Sequence, residues 1–294
     1  MDQAEELRNV IKKQNQRTKK PARIITVTSG KGGVGKSNTA INLAIQFRKM
    51  GKKVVILDAD FGLANIEIMF GAVPKHNLSD LIYQGKNIKD IITWGPMEVG
   101  FISGGSGITG LSNLSKDYLT YIVHNLAELD TIADVIIVDT GAGISDAVLE
   151  FLVASGEILL VTTPEPTSIT DSYSLLKALN GHPGLERDNT QICMIANRVS
   201  TANEGEVLFQ KLDVVVSRYL KLPITYLGAV PQDPLLAKAV MQQLPVSLQN
   251  PQARSAQAYE EIAAKLMKQD EGQNTQKRGV AAFFSHIIGK RNNG

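Results

Sequence analysis

SGKGGVGKS, residues 29–37, follows the β-branched run RIITVT and precedes NTAINLAIQF, whose apolar spacing is that of a helix. A glycine-rich turn between a strand and a helix satisfies G-x-x-x-x-G-K-[ST] from Gly30 to Ser37, a phosphate-binding loop. Backbone amides in such a loop, with the positive end of the following helix, cradle phosphate oxygens. Gly30, Gly32, Gly33 and Gly35 let the backbone approach closely, Val34 and Asn38 complete the loop, Lys36 reaches the β- and γ-phosphates, and Ser37 Oγ can ligate Mg²⁺. Lys31 is a second lysine, at a position the motif leaves free. Either it is a solvated loop residue or it has a separate task.

Outward from the loop, the β-then-α pattern repeats. KKVVILDAD, ADVIIVDT (133–140), EILLVTTPEP (157–166), TQICMIANR and PITYLGAVPQD each carry a short apolar run, with helical segments between them. Such runs indicate strands buried on both faces, and the pattern predicts one α/β domain, a doubly wound, mostly parallel sheet with helices on both sides. Helices are expected at about 203–219 and 252–268, and an extra strand with a mobile loop in the glycine-rich 97–115. The length of 294 residues suits one large domain over 21–268, preceded by a polar segment (1–20) and followed by a polar linker (269–276) and a terminal segment (277–291). Residues 1–20 read as a short helix with a linker or as a disordered tail.

Composition narrows the classes. A net charge of +2 gives no general nucleic-acid signal. The single cysteine, Cys193, excludes a disulfide framework and a cysteine-rich cluster, and with it an iron–sulfur electron carrier, and fits a cytosolic location. MDQAEELRNV lacks the apolar core of a signal peptide, and no apolar run is long enough to span a bilayer.

Ligands of open parallel sheets bind at the carboxyl ends of the strands, where two further motifs fall. Asp58 and Asp60 end the second strand; one acid there can hold a metal-bound water and the other can orient an attacking water, or both can be turn or capping acids. Asp139 ends VIIVD, where it would lie near Mg²⁺, and Gly141 and Gly143 behind it would let a segment move on sensing the γ-phosphate. Together these motifs describe a nucleoside triphosphatase.

KGGVGKS, DADFGLAN and DTGAG resemble the deviant phosphate loop and the two switch segments of the MinD/ParA/nitrogenase-iron-protein class. The resemblance implies an ATPase that dimerises over ATP and Mg²⁺. Lys31 would then reach the partner's phosphates, Asp60 would position the hydrolytic water, and Asp58 and Asp139 would contact Mg²⁺ mainly through water. Glu165 would touch nucleotide across the dimer, and Asn197, Arg198 and the loop of Pro231, Gln232 and Asp233 would recognise the base. Asn197 could equally cap the next helix.

Both ends carry further signals. Val280, Phe283, Phe284, Ile287 and Ile288 form one apolar stripe flanked by Lys277, Arg278, Lys290 and Arg291. Such a helix reads as an anchor on an anionic membrane surface, with docking on its own domain and partner binding as competitors; docking and release can also alternate with ATP. DQAEELR (2–8) resembles a segment of the flagellar-number regulators, the FlhG/YlxH/FleN branch of MinD-like ATPases. The branch implies that Asp2, Gln3, Ala4, Leu7 and Arg8 stimulate the GTPase FlhF, with Gln3 orienting a water, and that FliM and FliN or FliY of the flagellar switch are partners. The location implied is the cytoplasm and, with ATP, the inner face of the cell membrane. A division-site MinD ATPase would not need DQAEELR. A ParA-type DNA-segregation ATPase would want a basic patch, and the apolar stripe argues against it. A non-enzymatic nucleotide-binding adaptor is the remaining alternative.

Overall fold

Strands buried on both faces need apolar residues at every position, because successive side chains point to opposite sides of a sheet. β1 (Arg23–Thr28), β2 (Val54–Ala59) and β5 (Val135–Thr140) are buried at every position and mostly apolar, the exceptions being Arg23, Thr26 and Thr28 in β1 and, at the carboxyl ends, Asp58 in β2 and Asp139 and Thr140 in β5. The computed structural model describes residues 21–60, 65–104, 116–272 and 279–290. With β3 (Thr93–Trp94), β4 (Gly100–Ser103), β6 (Glu157–Thr162), β7 (Gln191–Val199) and β8 (Thr225–Pro231) these strands form one sheet, ordered β3-β4-β2-β5-β1-β6-β7-β8. Every neighbouring pair is parallel except β3 with β4. The two-residue edge strand β3 is too short to show a period and was not expected.

The longer helices are α1 (Lys36–Lys49), α2 (Lys116–Ala127), α3 (Asp146–Ala154), α4 (Pro166–Gly181), α5 (Ala202–Leu220), α6 (Pro234–Met241), α7 (Arg254–Gly272) and α8 (Val280–Lys290). Alternation along the strands divides the core. Ile25, Val27, Val54, Ile56 and Ile137 pack with Phe47 of α1 and Tyr259 of α7. Ile24, Val55, Leu57, Ile136 and Val138 face the other way, towards α2, α3 and α8, while Ile158, Leu160 and Met194 meet α4 and α5. At about 25 cal/mol per Å² of apolar surface, these two layers supply the main stabilisation.

Two boundaries differ from the sequence reading. α7 runs to Gly272, past the expected end at 268; Gln269 and Glu271 favour a helix, and glycine does not. The terminal segment is not separate from the domain either. Val280, Phe283, Phe284 and Ile287, the stripe expected on a membrane, are at most 3% exposed and pack on α2 and α3. Phe283 lies 6.0 Å from Phe151 between ring centroids and edge-on to Phe284 at 5.2 Å. Docking is therefore the observed state: the groove offers the same apolar surface a membrane would. The Ile288 side chain lies outside the described residues, as do residues 1–20 with Asp2, Gln3, Ala4, Leu7 and Arg8, most of the glycine-rich 97–115, and 273–276 of the expected linker. Among the described residues no helix is long and apolar enough to cross a membrane.

Candidate nucleotide site

β1 ends at Thr28 and α1 begins at Lys36, so the glycine-rich turn spans the carboxyl edge of the sheet next to β5 and β6. Gly33 and Gly35 have φ of +76° and +93°, a left-handed backbone that side chains disfavour. Gly30 is glycine for another reason: a Cβ there would lie 2.2 Å from the backbone of Asp171 in α4. Three contacts fix the turn. Ser29 Oγ donates to the Lys31 carbonyl (2.9 Å), the Gly143 amide donates to the Ser29 carbonyl (2.9 Å), and Asn197 Nδ2 donates to the Val34 carbonyl (2.7 Å). α1 has neither a side-chain cap nor an acid in its first turn. Its first amides are therefore those an anion would satisfy.

The acids assemble beneath this turn. Parallel pairing of β2 with β5 sets Asp58 beside Asp139, in register. Lys36 Nζ donates to Asp139 Oδ1 at 2.8 Å, and neither side chain is more than 8% exposed. Burial raises the Asp139 pKa, opposed by the Lys36 ammonium and the Ser37 hydroxyl. Burial, and then the Asp139 charge, push Asp58 up to about 7, against the amides of Asp60 and Ile66, which donate to it. Asp60 is less buried and accepts from Asn65 Nδ2 at 3.3 Å.

Two adjacent carboxylates with a single lysine, paired to Asp139, are under-compensated, and among the described residues the buried Asp139 Oδ2 has no hydrogen-bond partner. This donor set fits a hard divalent cation. Among the described residues no three His, Cys, Asp or Glu side chains cluster for a metal. Mg²⁺ does not require such a cage, since it commonly keeps waters and combines one or two carboxylates with phosphate oxygens.

Lys31 points elsewhere. Its Nζ donates to Glu165 Oε2 at 2.8 Å and to Thr167 Oγ1 at 2.9 Å, at the start of α4. The two charged side chains are 37% and 53% exposed. The Lys31 hydrogen bond and charge hold Glu165 below the usual carboxylate range, with a smaller contribution from Arg198. The two residues expected to act across a dimer thus meet within one chain. Thr167 was not singled out; TTPEPTS carries no signal that its hydroxyl would meet a lysine 136 residues away.

The expected base-recognition residues have local employment. Asn197 is buried; besides holding Val34 it accepts from the Arg198 amide at 2.9 Å. It does not cap α5, whose cap is Thr201. Arg198 is exposed, at φ +58°. Pro231 ends β8, and the Gln232 amide donates to the Val199 carbonyl. Asp233 caps α6 through the Leu235 amide and accepts from the Ser255 amide and hydroxyl.

Known proteins match this arrangement. A family model described as ParA, NUBPL iron-transfer P-loop NTPase, matches residues 20–267. Cys193, the single cysteine, is buried in β7 with its thiol pushed up to about 12 by burial, so the chain offers no thiolate set for iron. The antiactivator FleN of Pseudomonas aeruginosa is 38% identical over 84% of this chain and 86% of its own length. The flagellum site-determining protein YlxH of Helicobacter pylori is 32% identical over 98% of both. The fold matches the cell division ATPase MinD of Pyrococcus furiosus with a TM-score of 0.66 at 23% identity, covering 84% of this chain and 99% of that one. A loop built for phosphate, acids on the adjoining strand ends and these relatives converge: the chain is an ATPase of the MinD/ParA class of P-loop NTPases and belongs to its flagellar-number regulator branch, FlhG/YlxH/FleN.

Proposed function

We propose that this chain is an ATP-dependent dimerising switch that binds the membrane and regulates the number or placement of flagella. The observation that carries this reading is the division of labour between two lysines of one loop. Lys36 is buried at Asp139, beneath the loop that would take its own nucleotide, and Lys31 stands at the exposed rim beside Glu165. A cation at the rim stabilises phosphate charge only when a second subunit brings its nucleotide there, which makes dimerisation depend on ATP. The flagellar assignment rests on the two relatives FleN and YlxH, the second of which is named a flagellum site-determining protein.

In the proposed cycle, ATP enters the loop of Gly30–Asn38 and draws Lys36 from Asp139 to the phosphates. Ser37, Asp58 and Asp139 would hold Mg²⁺, the last two mainly through water, and the ion would neutralise phosphate charge. Asp60, steadied by Asn65, orients the attacking water. Lys31 leaves Glu165 and Thr167 for the partner's phosphates, and Glu165 is freed to touch the partner's nucleotide. Arg198, Gln232 and the neighbouring backbone frame the base. Hydrolysis is slow in the monomer because Lys31 arrives only from the second subunit. Closure of the dimer releases α8 to an anionic membrane, and residues 2–8 stimulate the partner GTPase FlhF; FliM and FliN or FliY are the expected switch partners.

Sedimentation with anionic liposomes, in ADP and in ATP, tests this reading on the intact chain, Lys31→Ala and a chain ending at Gln276. ATP should promote binding of the intact chain alone. Binding that ignores nucleotide and Lys31 would remove the membrane switch and leave the tail a fixed part of the domain.

A further inference from the structure

The described chain begins at Pro21 and its last helix begins at Val280, and the two points meet at one side chain. Asp130, on the short helix Leu129–Ile132, accepts from the Ala22 amide through Oδ1 at 2.9 Å. The same carboxylate accepts from the Val280 amide, at 3.2 Å through Oδ2 and 3.4 Å through Oδ1. Val280 opens α8, so its amide belongs to the first turn, whose donors lack partners within the helix. The packing there is tight. A Cβ on Gly279 would stand 3.0 Å from Asp130 Oδ2 and 3.2 Å from Pro21 Cβ. Ala22, Leu129, Val280 and Phe283 also belong to one apolar cluster, each no more than 1% exposed.

We propose that Asp130 couples the two ends of the described chain: Ala22 is held while α8 is seated, and unseating α8 frees Pro21 and Ala22 ahead of β1. Two independent contacts make the coupling. One is the carboxylate shared by the two amides, whose position between them is set by both. The other is the apolar cluster that Ala22 shares with Val280 and Phe283, which loses packing when α8 leaves. β1 itself stays fixed, since the Arg23 amide donates to the Asp134 carbonyl and Ile25 to Thr28 pair with β5 or β6. Freedom gained at Ala22 therefore does not pass into the sheet. Within the function proposed above, the device lets departure of α8 to a membrane release the segment that meets the partner GTPase. Only that use rests on the functional reading. The coupling stands on the packing, and its test needs neither membrane nor nucleotide.

Amide hydrogen exchange on the full-length protein decides it, read at Ala22, at Val280 and, as a control for folding, at Ile25 to Thr28. In Phe283→Glu, where a charge unseats α8, exchange at Ala22 and Val280 should both accelerate by about tenfold or more while β1 keeps its protection. Asp130→Ala should accelerate the same two amides. Gly279→Ala keeps the carboxylate but crowds the junction, and should loosen both ends to a smaller degree. If Phe283→Glu frees Val280 and leaves Ala22 as protected as in the parent, the coupling is wrong. Acceleration of one amide alone in Asp130→Ala would overturn it as well. If Phe283→Glu also loses β1 protection, Gly279→Ala decides by the same criterion.

Discussion

Lys36 and Lys31 leave the same loop and carry the same charge, and each ends 2.8 Å from a carboxylate oxygen. Their surroundings differ. The Lys36–Asp139 pair is closed off beneath the loop, whereas Lys31 and Glu165 remain substantially in water. Coulomb attraction between two charges is several times stronger away from bulk water, but so is the cost of taking each charge there. A buried pair is therefore hard to break one side at a time, and an exposed pair exchanges partners readily. Without nucleotide, one loop thus holds a lysine paired in the interior, for its own site, and a lysine available to another molecule. The difference comes from the tertiary position of their partners, not from the residues themselves.

The most direct way to break this comparison is to remove each lysine in turn and unfold the nucleotide-free protein with urea. Lys36→Ala leaves Asp139 buried without its cation and should cost about 3–5 kcal/mol, the range for breaking a buried pair on one side. Adding Asp139→Asn should restore part of that loss, because it removes the stranded charge. If Lys36→Ala unfolds at the same urea concentration as the parent, burial does not distinguish the two lysines.

Asn197→Ala sharpens the comparison from below the loop. It strands the Val34 carbonyl, which Nδ2 holds in a buried bond, and should cost about 1–3 kcal/mol, with weaker ATP binding measured by calorimetry. An unchanged stability would mean that the loop does not depend on this strut. Asp233→Ala should cost about 1–2 kcal/mol, the usual loss for a helix cap. Burial works against the charged form of Asp233, but the Ser255 and Leu235 amides and the Ser255 hydroxyl outweigh it and hold its pKa below the ordinary 3.8. The contribution of that charge is therefore complete above 3.8 and is lost as the pH falls through the lower folded value. A difference between Asp233→Asn and parent that persists undiminished at the acid end would show that hydrogen bonding, not charge, supplies the stability.

How far the sequence revealed these sites follows the same distinction between local and distant causes. The strands were legible because burial on both faces demands continuous apolar runs, and VVILDA and VIIVDT supply them. Asp58 and Asp139 were legible as sharing the carboxyl edge of the sheet because each ends such a run; that β2 pairs with β5 and sets them side by side is a matter of strand order, which no local pattern specifies. The Lys31 contacts were not, since they depend on how closely α4 packs on Gly30, a fit between segments far apart in the chain. The stripe of α8 shows its period plainly, but an apolar groove and a bilayer select the same residues. Only the tertiary structure identifies α2 and α3 as the surface it meets here. Asn197 and Asp233 carried donor and acceptor groups that suit a base edge equally well; their use beneath the loop and at the start of α6 depends on neighbours that no local pattern specifies.

The smallest expected change in stability belongs to Lys31→Ala, and that smallness is informative. Its contact with Glu165 and Thr167 is solvent-exposed, so an ordinary surface pair is lost and the urea midpoint should stay where it is. Its proposed effect lies in association, where ATP should no longer shift the protein from monomer to dimer in sedimentation velocity. Glu165→Gln provides the converse. It weakens the hold on Lys31 in the monomer but also alters a residue proposed to touch the partner's nucleotide, so any gain in dimer would come from release outweighing that loss. Thr167→Val separates the two effects, because it removes one hydrogen bond to Lys31 and leaves the glutamate intact. A lysine held back by its own chain predicts that Thr167→Val dimerises at lower ATP than the parent. If Thr167→Val and parent respond alike while Lys31→Ala fails to dimerise, the contact within the chain is a resting place without consequence. If Lys31→Ala dimerises as the parent does, the outward lysine has no part in the switch, and the contrast with Lys36 is one of stability alone.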